Sequence, residues 1–137
     1  MFDELTKYKT NGHFFFFFFH ILSKVCNAPE KAGVYYILML RKGKVELVYI
    51  GASGTINQKG EFSSQLLGGR LNNKQNGTKR QHFFEEIMLR EEIDALDIYW
   101  FVTFDKNNQH LPSYVEALLL QKHFDIYGCL PEWNNGF

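Results

Sequence analysis

Between Gly33 and Leu40 the chain reads GVYYILML, a run of β-branched and aromatic residues, and from Val45 to Ile50 it reads VELVYI, which alternates before reaching Gly51. The stretch Arg41 to Lys44 between them contains Gly43 and suits a tight turn, so the two runs predict a β-hairpin that ends at Gly51. LDIYWFVTF, Leu96 to Phe104, predicts a third central strand. Helical spacing of Leu66, Leu67 and Leu71 predicts a helix within Phe62 to Lys74, against the tendency of Gly68 and Gly69. A second helix is expected over His82 to Glu92, and Pro112 starts a third at its favoured first turn, running to about Tyr127. Gly51 to Glu61 reads as a loop, and the closing CLPEWNNGF as a segment that packs back onto the body.

The pattern breaks at HFFFFFFH, His13 to His20. Phe14 to Leu22 is much shorter than the roughly 20 residues of a bilayer-spanning helix, and it contains His20. Asp3 and Glu4 open the chain where a secretory signal would be basic, so neither membrane nor secretion is expected. In a strand, alternate Phe side chains face opposite sides. Both faces should then be covered, one by the core and the other by a helix or a second subunit, which makes a homodimer contact the further reading. The expected organisation is one domain, 1–137, with 1–30 an N-terminal extension carrying the Phe-rich strand and 31–137 the core. Its fold class is α/β (α+β), a small mixed or antiparallel three-stranded sheet flanked by helices. The two cysteines, Cys26 and Cys129, have no metal-ligand spacing, which argues against a zinc site or a disulfide scaffold and fits a reducing cytoplasm.

Net charge is zero but unevenly spread. Between Arg41 and Phe84 basic side chains far outnumber acids, and Glu85 to Asp97 reverses the balance, a polarity that points weakly to nucleic acid. The glycines of VYIGASG invite a phosphate-loop reading, but neither G-x-x-x-x-G-K-[ST] nor G-x-G-x-x-G is present.

What the strands do carry is Gly33-Val34-Tyr35 followed by Tyr49-Ile50-Gly51. With Arg70 in GGRL, Glu116 in YVEALLL and Asn134 in PEWN, in that order over residues 30 to 135, the chain resembles the GIY-YIG nuclease family. The loop between Tyr49 and Arg70 is long and is similar to that of the restriction-enzyme branch, for which Lys59 is the natural counterpart of a loop lysine. The resemblance implies a metal-dependent DNA endonuclease using one Mg²⁺ or Mn²⁺. Glu116 would be its metal ligand, and Tyr35, Tyr49, Lys59, Arg70 and Asn134 the other catalytic residues. One register of the family pattern falls on Gln121 instead of Glu116, and that register implies a catalytically inactive nucleic-acid-binding module.

The residue types suit the chemistry. Phosphodiester hydrolysis needs an activated water, relief of charge on the phosphoryl oxygens and a cation at the leaving oxygen. A carboxylate can hold Mg²⁺ together with waters and phosphate, an arginine can fork onto phosphate, and tyrosines can orient a water. Gly51, Lys74, Lys79, Arg80 and His82 are the candidate DNA contacts, the glycine by letting backbone and phosphate approach closely. Each residue has a plainer role open to it: strand tyrosines fill cores, a helix arginine is solvated, Glu116 favours the positive end of its helix, and Asn134 forms a turn.

Overall fold

The structure, a computed structural model, describes residues 1–62 and 65–137. A 3₁₀ turn, Asp3–Leu5, leads into strand β1, Asn11–Phe16, and a single helical turn, α1, Leu22–Val25. The hairpin β2, Gly33–Arg41, and β3, Lys44–Ser53, follows. Then come helix α2, Leu67–Leu71, the short strands β4, Lys74–Gln75, and β5, Thr78–Lys79, helix α3, Arg80–Arg90, strand β6, Ala95–Val102, and helix α4, Pro112–Tyr127.

The sheet is antiparallel in the order β1-β6-β2-β3, so among the described residues it has four strands where three were expected. The additional strand is β1, paired from Asn11↔Phe101 to Phe16↔Leu96. Strands β2 and β6 lie inside the sheet, which is why their sequences read as nearly unbroken apolar runs. Tyr35, Ile37, Met39, Leu96, Ile98, Trp100, Phe14 and Phe16 join Leu67, Leu71, Phe84, Ile87 and Met88 in one core under α2 and α3. A second core joins Val34 and Ile50 to Val115, Leu119 and Leu120 of α4 and to Leu5 and Tyr8. Helices therefore cover both faces of the hairpin. No helix among the described residues is long and apolar enough to cross a membrane.

The Phe run divides. Phe14 and Phe16 are buried, while Phe15 is 40% exposed and Phe17 to Phe19 lie beyond the strand with Phe19 80% exposed. The expected burial of the run on both faces does not hold, because α4 packs on β2 and β3 and leaves the β1 side open.

The expected helix over Phe62 to Lys74 is reduced to α2; Ser63 and Ser64 fall outside the described residues. In place of its last turn the chain makes the β4–β5 hairpin, turning at Asn76 and Gly77 with φ of 52° and 79°. Asn-Gly is the pair that tolerates left-handed backbone at both positions of such a turn, so this hairpin had a local signal. Helix α3 starts at Arg80, two residues earlier than its periodicity suggests.

At the other sheet edge the C-terminal segment runs along β3. The Trp133 N–H donates to the Val48 carbonyl at 2.8 Å, and Trp133 packs edge to face on Phe83. This covers an edge strand that would otherwise present open backbone groups.

Candidate functional site

Tyr35 and Tyr49 arrive on paired strands, with Tyr35 opposite Gly51 and Ile37 opposite Tyr49. A register shift beyond Ile37 marks a bulge, and it leaves the consecutive residues Val48 and Tyr49 packed against the same core as Tyr35. The two tyrosine rings meet edge to face with centroids 5.9 Å apart. Gly51 is what makes room for this. A Cβ at Gly51 would stand 2.6 Å from Cζ of Tyr35 and 2.7 Å from its hydroxyl, so any larger residue would displace the ring. Gly51 therefore neither ends the strand, which continues to Ser53, nor offers an approach for phosphate: it is buried and its open side is filled by Tyr35.

Arg80 also departs from expectation. Expected on a solvated basic face, it is 2% exposed. Its Nη1 donates to Tyr35 Oη at 2.8 Å and its Nη2 to the Lys74 carbonyl at 3.3 Å. The guanidinium carbon lies 5.5 Å from the Tyr35 ring centroid and 5.8 Å from that of Tyr49. The β4–β5 hairpin causes this placement: it turns the chain back so that the Arg80 N–H reaches the Asn73 carbonyl at 2.7 Å, and α3 begins against the tyrosines.

Two further charged groups come from other elements, Arg70 coupled to Glu116 and Glu116 to Tyr49. Arg70, on α2, is half-buried with its Nε lacking a hydrogen-bond partner. Glu116 lies early in α4, half-buried, and burial pushes its carboxyl up to about 7 while Arg70 pulls it back. Burial likewise raises the Tyr49 hydroxyl, Tyr35 and Glu116 add to the rise, and Arg80 opposes it. Among the described residues the Glu116 carboxylate accepts no hydrogen bond and enters no ion pair. Gln121, five residues further along the same helix, is exposed and donates to Asp125 at 2.8 Å. The carboxyl group of α4 that couples to Tyr49 and Arg70 is thus Glu116.

Asn134 holds the strand beside this centre. Its amide donates to the Ile50 carbonyl at 2.9 Å and accepts from the Ile50 N–H at 3.0 Å, so it is spent on the backbone next to Tyr49. Lys59 is exposed in a turn where its own N–H donates to Asn57 Oδ1 at 3.0 Å, and among the described residues nothing joins it to the tyrosines. Lys74 and Lys79 are exposed on the β4–β5 hairpin, and exposed His82 stands 3.5 Å from the Glu85 carboxylate on its own helix.

The centre so assembled contains two phenols, one of them held by a buried guanidinium, with a second guanidinium and a carboxyl that titrates near neutrality. Such a group can exchange a proton at ordinary pH, and perturbed carboxyls of this kind concentrate at functional sites. Among the described residues no three His, Cys, Asp or Glu side chains gather into a metal cluster. No protein-family model, curated protein or solved structure matches the chain.

Proposed function

We propose that the protein is a metal-dependent endonuclease of GIY-YIG type that hydrolyses phosphodiester bonds in DNA. The observation that carries this reading is the coupling of Glu116 to Tyr49 and Arg70, which unites three residues from separate elements in the order of the family pattern. The donor chemistry fits one Mg²⁺ or Mn²⁺: magnesium commonly takes one or two carboxylates and completes its shell with waters and phosphate oxygens. An unpartnered, half-buried carboxylate gains from a cation what burial costs it. When bound, the ion would neutralise charge on the phosphoryl and leaving oxygens.

The chain's own residues supply the rest. Arg70 forks onto a phosphate oxygen. Tyr49 orients the attacking water with Tyr35, 1% exposed and held by Arg80, packed behind it, and Asn134 keeps β3 in place by bracketing Ile50. Exposed Lys74 and Lys79 beside the centre suit phosphates flanking the scissile one. The second reading, a nucleic-acid-binding module without catalysis, belongs to the Gln121 register, and the engagement of Gln121 with Asp125 in solvent disfavours it.

The test is incubation of purified protein with supercoiled plasmid and Mg²⁺, with and without chelator, beside a Glu116→Gln variant prepared identically. Nicking that needs the metal and drops at least about a thousandfold in the variant is expected, the scale of loss when a group essential to the chemistry is removed. Equal cleavage by both proteins defeats the assignment of Glu116.

A further inference from the structure

Arg80 is buried without a carboxylate. Taking a guanidinium out of water is costly unless an ionic partner or a full set of acceptors receives it. Here the partners are one phenol oxygen, one carbonyl and two aromatic faces, and Nε has none. Nothing in core packing calls for such an arrangement, since an apolar side chain of similar length would fill the same volume without the charge.

The hydrogen bond has a direction. Arginine only donates, so Tyr35 Oη is the acceptor, and its own proton must point away from Arg80. The Tyr49 ring meets that of Tyr35 edge to face with centroids 5.9 Å apart, and the Arg80 guanidinium lies 5.8 Å from it. Tyr35 is also fixed from beneath by Gly51, which leaves its ring one seat.

We propose that Arg80 is a positioning residue: its guanidinium holds Tyr35 Oη as an acceptor, fixes the orientation of that hydroxyl, and keeps a positive charge against the tyrosine pair. The part of this concerning catalysis rests on the nuclease reading; the orientation of Tyr35 does not. Arg80 lies behind the tyrosines and is 2% exposed, so it acts through Tyr35 and leaves direct contact with a phosphate to Arg70.

The test reads tyrosine ¹³Cζ resonances, one from each of the seven tyrosines, with Tyr35 assigned by Tyr35→Phe. In Arg80→Met the Tyr35 resonance should move while those of Tyr8 and Tyr114, far from the contact, stay in place. On plasmid with Mg²⁺ the same variant should lose kcat on the order of tenfold to a hundredfold, the range for a residue that orients another, with KM within about twofold. Arg80→Lys should recover part of the loss. An unmoved Tyr35 resonance in folded Arg80→Met overturns the proposal, as does a loss confined to KM, which would make Arg80 a substrate contact. Should Arg80→Met not fold, Tyr35→Phe read at the Arg80 guanidinium ¹⁵N resonances decides, and unmoved resonances overturn it. A moved Tyr35 resonance in a protein that cleaves no DNA sustains the orientation and sinks the nuclease reading alone.

Discussion

The sheet carries two polar clusters, each with two tyrosines and a carboxyl group, joined by His13 in one and by Arg70 and Arg80 in the other, and they are finished differently. In the Tyr36 and Tyr99 cluster the carboxylate is Asp97, 6% exposed, and His13 Nδ1 stands 2.8 Å from it. His13 stacks on Tyr99 with centroids 4.6 Å apart, and Tyr99 on Tyr36 at 5.1 Å. Burial, then Tyr99 and Asp97, push the Tyr36 hydroxyl up to about 12, which keeps it a neutral phenol. In the Tyr35 and Tyr49 cluster Glu116 has no hydrogen bond among the described residues, and Nε of both Arg70 and Arg80 is without a partner. The difference teaches that buried polarity alone does not mark a site. Folded chains satisfy their buried polar groups almost everywhere, so the unpartnered groups of this cluster stand out, as do Gln75 and the Trp133 indole elsewhere among the described residues.

The sharpest way to break this comparison is Arg70→Ala. Arg70 should supply a contact made only in the transition state, and its removal should cost about 3 kcal/mol, or about a hundredfold in rate. Stability should change by less than about 0.5 kcal/mol, because Nε has no partner to lose and alanine is a good helix former. Cleavage rate and melting temperature are measured on the same samples. A variant that melts far lower, with activity lost only in proportion to the folded fraction, returns Arg70 to the structural side of the comparison.

The satisfied cluster predicts the opposite pattern. Asp97→Asn keeps the shape but loses the charge that His13 faces, and should cost about 2 kcal/mol of stability, in the range of a hydrogen bond to a charged group. Its cleavage rate should stay within about twofold of the parent after correction for folded fraction. A folded Asp97→Asn protein that no longer cuts would place chemistry in both clusters and dissolve the distinction.

The hairpin and the start of α4 were legible because their signals are local: a glycine turn between β-branched runs in the one, and Pro112 at the first turn of the other. The partnership of β1 with β6 was not, since it joins residues 80 to 90 apart in the chain and no short-range pattern encodes it. The burial of Arg80 was hidden for a related reason. Next to Lys79 it reads as one more solvated charge, and only the fold brings the Tyr35 hydroxyl that makes its burial tolerable. Gly51 was noticed, but for the wrong partner: the close approach it permits is that of a tyrosine ring from the neighbouring strand. Asn134 was singled out by pattern as a catalytic residue, while the contact it makes, bracketing Ile50, comes from the way the C-terminal segment docks on the sheet edge.

The smallest expected effect tests whether Glu116 is held without a partner. Its carboxyl titrates ordinarily near 4.5 and in the folded chain at about 7, so between those values the folded state binds more protons than the unfolded one. Stability contributed by the protonated group is therefore fully present below the ordinary value and is lost as pH rises through the folded one. Glu116→Gln stays neutral throughout and should gain on the parent as pH rises, by about 1 kcal/mol at about pH 8 once screening of a half-buried group is allowed for. Urea unfolding of both proteins at about pH 5 and about pH 8 measures it. Mg²⁺ added at the higher pH should narrow the gap from the parent's side alone, because a cation bound only to the folded carboxylate stabilises by mass action. If parent and variant show the same pH dependence, Glu116 has a partner as good as the one His13 gives Asp97, and the two clusters are alike after all.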